Sequence, residues 1–196
     1  MLTIKDVRPA VSQSWDFVNV QDWQGVLVRL NSSGVAYSAN GLGGATAAST
    51  AVAMSIAGAS ASSGDQRVTG TIRYSSPTTS SNCNLGLMLR MKSLQNSADT
   101  NYYIARVHQG IAKITPVNAG VVGNSLSQSA FALPADTDVT ITFSAIGTAL
   151  SASFVASGLT TVNLSAVDSS IVGGGFMGFR STSQVVFCSA ITCELL

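Results

Sequence analysis

The stretch "QRVTGTIRY", Gln66 to Tyr74, alternates strictly in character: Val68, Gly70, Ile72 and Tyr74 fall on one side, and Arg67, Thr69, Thr71 and Arg73 on the other. Successive side chains of a strand point to opposite faces, so this alternation predicts a strand with one dry face and one wet face. The same period recurs in "NLGLMLRMK" through Leu85, Leu87, Leu89 and Met91, and in "DVTITFSA" through Val139, Ile141 and Phe143. It recurs again in "ALSASFVAS" through Leu150, Ala152 and Phe154, while no segment carries convincing helical periodicity.

Outward from these runs, further strands are expected at Trp23 to Leu30, Val35 to Ser38, Thr50 to Ala57, Gly110 to Thr115, Thr161 to Ser165, Phe176 to Arg180 and Val185 to Leu195. The connections carry turn residues, among them "SPTTSSN", "NAGVVGN", "LPADTD" and a short "IGTA" that reads as a hairpin. Many short, half-buried strands joined by such turns imply an all-β fold, a two-sheet antiparallel β-sandwich of the jelly-roll kind with little or no helix. The length of 196 residues suits one such domain, here expected over residues 15–196 behind an N-terminal arm of residues 1–14.

Only 10% of the residues are charged, against roughly 25% in an average globular protein. Ten basic and nine acidic side chains leave a net charge of +1, too little for the electrostatic footprint of a nucleic-acid or anionic-membrane partner. No charged residue occurs between Arg29 and Asp65, or between Lys113 and Asp136. Such stretches suit the core of a protein interface, or a surface solvated by hydroxyls and amides. The Ser, Thr and Gly residues of the first stretch interrupt it too often for a membrane-spanning helix. The N-terminus lacks the basic start and apolar run of a secretory signal, so synthesis in a cytoplasm is expected.

Cys83, Cys188 and Cys193 show no metal-ligand spacing, and neither a metal nor another cofactor is expected. Cys188 and Cys193, five apart on one extended strand, are expected on opposite faces and beyond the reach of a disulfide. In "NYYIARVHQG", Asn101 to Gly110, alternation sends Tyr103, Ala105 and Val107 to the core and Tyr102, Ile104, Arg106 and His108 to the other face.

The succession "LGLMLRMK", "NYYIARVHQG", "IAKITPV", "LPADTDVTITFSAIGTALSASFV", "GGGFMGFRS" and "VVFCSAITCEL" resembles the concanavalin A-like lectin/glucanase jelly roll of the laminin G type, over roughly Thr69 to Leu196. The strand order of that family would set Tyr102, Arg106 and His108 beside Arg73 and Arg90 on an open sheet face, a possible ligand face. Glycoside hydrolases on this fold need two carboxyl groups across the scissile bond, carried by an E-x-D-x-(x)-E strand. Here the one glutamate is Glu194 and no strand alternates acids, so a non-enzyme is expected. Lectins on this fold often bind calcium, for which Asp136 and Asp138 are a sparse start.

Two functions remain open. In the first, the domain is a structural subunit of a virus particle, resembling decoration and cement proteins of tailed bacteriophages and assembled in the host cytoplasm. It would act as a homo-oligomeric dimer or trimer bound to a capsid shell protein. Its interface would draw on Leu2, Ile4 and Val7 of the arm and on Leu42, Met54, Val121 and Phe131 of the uncharged segments. In the second, it is a lectin-like module that recognises a glycan receptor for a phage tail or fibre.

Overall fold

A computed structural model describes residues 64–74, 85–92, 101–181 and 186–196, together with the strand segments 12–16, 27–29, 36–37, 45–46 and 50–54. Its strands are β1 (Ser12–Asp16), β2 (Leu27–Arg29), β3 (Ala36–Tyr37), β4 (Ala45–Thr46), β5 (Thr50–Met54), β6 (Gln66–Tyr74), β7 (Leu85–Met91) and β8 (Tyr102–His108). They continue with β9 (Ile111–Asn118), β10 (Val121–Val122), β11 (Ser127–Ala130), β12 (Thr137–Ile146), β13 (Ala149–Ala156), β14 (Val162–Val167), β15 (Phe176–Ser181) and β16 (Val186–Leu195). No helix occurs among the described residues.

Two antiparallel sheets make the sandwich. The smaller runs β1-β16-β6-β12-β13-β14, and the larger runs β10-β9-β8-β7-β15-β5-β2 with β11 paired to β9. A separate ribbon pairs β3 with β4. Because β1 pairs with β16 from Ser12 onward, the sandwich takes in Ser12 to Ser14, which the sequence reading left with the arm.

The inward faces meet in one core. Val68 and Ile72 of β6, Ile141 and Phe143 of β12 and Phe154 of β13 pack with Leu87, Leu89, Tyr103, Ala105 and Ile114 of the larger sheet. The alternation of "QRVTGTIRY" thus faces the way its sequence demands. The hairpins obey local stereochemistry: Ile146 pairs with Ala149, and Gly147 at the first loop position takes a φ of 56°, which a Cβ would disfavour.

Two irregularities break the expected alternation. Between Met88 and Met91, two residues of β7 (Leu89 and Arg90) oppose one residue of β15 (Met177), and Arg90 takes a left-handed φ of 55°. Met91, expected beside Leu87 and Leu89, therefore joins Met88, Tyr102, Ile104 and Val117 in a second apolar cluster on the other side of the sheet. Gly175 permits this close approach, since a Cβ there would lie 2.6 Å from the Arg90 carbonyl carbon.

The second bulge lies in β16, between Cys188 and Ala190. Cys188 pairs with Ile72 and Cys193 with Val68, so the extra residue returns the two cysteine positions to one face rather than opposite faces. Four residue pairs still separate them along the strand, well over 10 Å at about 3.4 Å per residue and beyond disulfide reach.

Candidate functional site

The expected ligand face is resolved into different places. Tyr102, Ile104, Arg106 and His108 do share the outer face of the larger sheet, opposite Val117, Thr115, Lys113 and Ile111 of β9. Tyr102 and Arg106 are buried there, and His108 is half-buried. Gly86 of β7 stands across from Arg106 on the other side.

Arg73 does not belong to this face. It lies on β6 in the opposite sheet, where its guanidinium grips Asp138 through Nε to Oδ1 at 2.7 Å and Nη2 to Oδ2 at 2.9 Å. The hydrogen bond from Arg73 holds the Asp138 carboxyl below its usual range. Both oxygens of Asp138 are thus engaged by Arg73 rather than turned with Asp136 toward a cation, and no group of metal-ligating side chains occurs among the described residues.

Arg90 also departs from the expectation, because the left-handed backbone turns it away from the open face. Its side chain, 1% exposed, donates from Nε to the Gly64 carbonyl (2.9 Å), from Nη1 to Ile171 (3.2 Å) and from Nη2 to Gly147 (2.6 Å). Gln66 completes the clasp, accepting from the Arg90 N–H at 2.9 Å and donating to the Gly175 carbonyl at 2.6 Å. Arg90 is a tie between loops rather than a ligand contact.

Nearby, the Tyr103 hydroxyl donates to Asp168 and accepts the Ile171 N–H at 3.0 Å, pinning the segment that leads into β15. Burial, and then the bond to Asp168, push the Tyr103 hydroxyl upward from its ordinary value. Although partial burial opposes it, hydrogen bonds from Ser170 and Tyr103 keep the Asp168 carboxyl below its usual range.

Of the expected interface residues, Val121 is 70% exposed on β10. Phe131 is instead buried in the core, its ring 5.9 Å from that of Phe154 in a tilted pair, because the chain after β11 turns inward over the open side of the sandwich. Met54 ends β5, with its side chain outside what the structure describes, and Leu2, Ile4, Val7 and Leu42 lie outside the described residues.

The open recess that the sequence did not announce lies where the two sheets end together. A cleft of about 530 Å³ runs between the end of β11 and the start of β14. Phe131, Leu159 and Val162 give it apolar area, while Ser129, Thr160, Thr161 and Asn163 bring hydroxyls and an amide to its rim. No ionisable side chain lines it. The volume falls within the range of small-ligand sites, about 300–1,000 Å³, which combine apolar walls with a few placed polar groups. Its lining comes from two separate segments, 129–132 and 159–163, so the only sequence signal was the uncharged run between Lys113 and Asp136, which holds the first of them.

Among the described residues, β14 pairs only with β13 and forms the edge of its sheet beside the cleft. Asp168 donates its N–H to the Thr148 carbonyl at 3.0 Å, which makes those two a hydrogen-bonded pair of the β13–β14 ladder. By alternation, Ala166, Leu164 and Val162 turn their backbone groups to β13, and Asn163, Ser165 and Val167 turn theirs outward. Asn163 thus presents its backbone groups at this edge of the sandwich.

No family model and no curated protein sequence matches the chain. Solved structures match it in fold. Peanut lectin superposes with a TM-score of 0.61 at 8% identity, over 95% of this chain and 97% of the lectin. The CBM2 module of the evolved Dit protein of Lactobacillus casei BL23 phage J-1 superposes at 0.58 and 9% identity, over 95% and 96%. The carbohydrate-binding module CBM66 from Bacillus subtilis superposes at 0.57 and 14% identity, over 86% and 91%. The likeness is one of fold: the chain is an all-β, two-sheet antiparallel sandwich similar in architecture to lectins and carbohydrate-binding modules.

Proposed function

We propose that the chain is a carbohydrate-binding domain that takes an uncharged sugar in the cleft between β11 and β14 and performs no chemistry on it. The observation that carries this reading is the cleft itself, with its hydroxyl and amide rim around apolar side chains and no ionisable group. A sugar offers the complement, a set of hydroxyls around a weakly apolar ring. Thr160, Thr161 and Asn163 would bond those hydroxyls while Leu159 and Val162 cover the ring face.

The absence of catalysis is part of the proposal. Four of the described carboxylates are already committed: Asp138 to Arg73, Asp168 to Tyr103 and Ser170, Asp65 to the Gly147 N–H at 2.7 Å, and Glu194 to Arg67 at 3.5 Å.

The setting is proposed to be a bacteriophage tail or fibre, where such a module would attach the particle to a cell-surface polysaccharide. The shared architecture with a phage Dit module supports this placement. No observation among the described residues favours the capsid-decoration reading over it. A glycan array probed with the purified chain tests the proposal: binding to neutral glycans that Asn163→Ala and Thr161→Val both abolish is expected. Binding to none, or binding that both variants retain, would refute the cleft as the site.

A further inference from the structure

β14 forms one edge of the smaller sheet, and its own sequence does nothing to guard that edge. The strand, "VNLSAV" from Val162 to Val167, has no charged side chain and no proline, and no bulge interrupts its register with β13. Sheets commonly blunt their edges with such devices, because a row of outward N–H and carbonyl groups is a template for another strand. Among the described edge strands of the two sheets β14 is also the longest, at six residues: β1 has five and ends on Asp16, β11 has four, β2 three and β10 two. The residues that turn their backbone groups outward, Asn163, Ser165 and Val167, are all exposed.

The side chains of these three residues lie on the outer face of the sheet, since Leu164 between them belongs to the core. Val167, 78% exposed, is the most exposed of the large apolar side chains described. It ends an apolar row that crosses the outer face from exposed Ile146 through Ala149 to the edge. A further strand laid along the edge would flank Val167 on its open side. Turned about a two-fold axis through Ser165, a second β14 fits there antiparallel: Asn163 meets Val167, Ser165 meets Ser165 and Val167 meets Asn163. Each becomes a hydrogen-bonded pair that exchanges both N–H···O=C bonds. On the inner face Leu164 falls beside Ala166 of the other strand, apolar against apolar, and no like charges meet along the seam. Such self-complementarity is what a two-fold interface requires.

We infer that β14 is a dimerisation edge, at which two copies of the chain join antiparallel so that their smaller sheets become one continuous sheet. The pairing does not depend on the carbohydrate reading. Where a polysaccharide is the ligand, it makes the protein bivalent: the two Asn163 positions stand four residues out of step, about 14 Å along the strands, and offer two clefts to one chain of sugars.

Sedimentation equilibrium of the full chain over a wide concentration range, without added sugar, tests this. A reversible monomer–dimer equilibrium is expected, because one pair of short strands is a small interface beside the roughly 1,200–2,000 Å² that stable interfaces bury. Ser165→Lys sets like charges against each other at the axis and should weaken the dimer about fivefold or more. Ser165→Pro removes the outward N–H, at a position where an edge strand tolerates proline, and should leave only monomer with its circular dichroism intact. Ser151→Lys is the control: Ser151 lies beside Ser165 on the same face, one strand further in, and this variant should dimerise like the unaltered chain. Hydrogen exchange supplies a second readout. The amides of Asn163, Ser165 and Val167 should exchange quickly in dilute solution and slowly in concentrated solution, while those of Leu164 and Ala166, bonded to β13, stay slow in both. A chain that remains monomeric or assembles beyond a dimer, or a dimer that Ser165→Lys leaves unchanged, would overturn the inference. So would a dimer that Ser151→Lys breaks equally, because the copies would then be stacked face to face.

Discussion

Arg90 Nη2 donates to the Gly147 carbonyl at 2.6 Å, joining the bulge of β7 in the larger sheet to the β12–β13 hairpin of the smaller one. The same guanidinium holds Gly64 and Ile171, so a single side chain fastens three loops at one end of the sandwich. Its planar fork suits this task in a way that a point charge cannot match.

Replacing Arg90 with Met should therefore cost about 3 kcal/mol or more, because three carbonyls lose a donor in a closed site. Arg90→Lys should recover only part of that loss. Urea denaturation followed by circular dichroism measures both, and a cost below that of an ordinary surface substitution would show that the clasp contributes little.

Gly86 is held by crowding rather than by backbone conformation. Gly86→Ala should destabilise the fold by about 1–3 kcal/mol, the usual range for overpacking, since the added Cβ would meet the Ala105 oxygen at 2.4 Å. Thermal melting of this variant beside Gly147→Ala separates the two causes: Gly147 has open space for a Cβ but a positive φ.

The depressed carboxyls of Asp138 and Asp168 set a sign for acid sensitivity. Each folded value lies below its unfolded one, so each contributes stability that is complete above the unfolded carboxylate range, near 3.9. That contribution disappears as pH falls through the folded value. The melting temperature should drop on acidification below about pH 4, and the drop should be shallower in an Asp138→Asn, Asp168→Asn double variant. An identical acid profile in that variant would exclude both groups as the source.

Burial, with a smaller contribution from Glu194, pushes the Cys193 thiol up to about 12. The nucleophile is the thiolate, so Cys193 should resist iodoacetamide in the folded chain at neutral pH and react once urea unfolds it. Peptide mapping by mass spectrometry reads that residue apart from Cys83 and Cys188. Rapid labelling of the native chain at Cys193 would contradict its burial.

Much of the fold was legible in side-chain alternation alone. Val68 and Ile72, Ile141 and Phe143, and Tyr103 and Ala105 all face the core as their period-2 patterns require. The hairpin at "IGTA" was equally readable, because a two-residue loop with a leading glycine is a local matter. Alternation failed where one residue was inserted. The bulge at Arg90 sent Met91 to the far cluster, and the bulge in β16 reversed the relation of Cys188 to Cys193. Nothing in "MLRMK" or "FCSAITC" marks such an insertion, because a bulge depends on the partner strand.

The sequence by itself thus determined the all-β class, the core faces of the central strands, the low charge, and the shared face of Tyr102, Arg106 and His108. Those are properties of neighbours along the chain, set by the pleat and by composition. Only the tertiary structure decided that Arg73 belongs to Asp138, that Arg90 turns inward to three carbonyls, and that Phe131 is core. It alone left β14 at the edge of its sheet, and opened a cleft between β11 and β14. The physical reason is that strand order and register are long-range: they bring together residues tens of positions apart, and the chemistry of a site depends on which strands become neighbours.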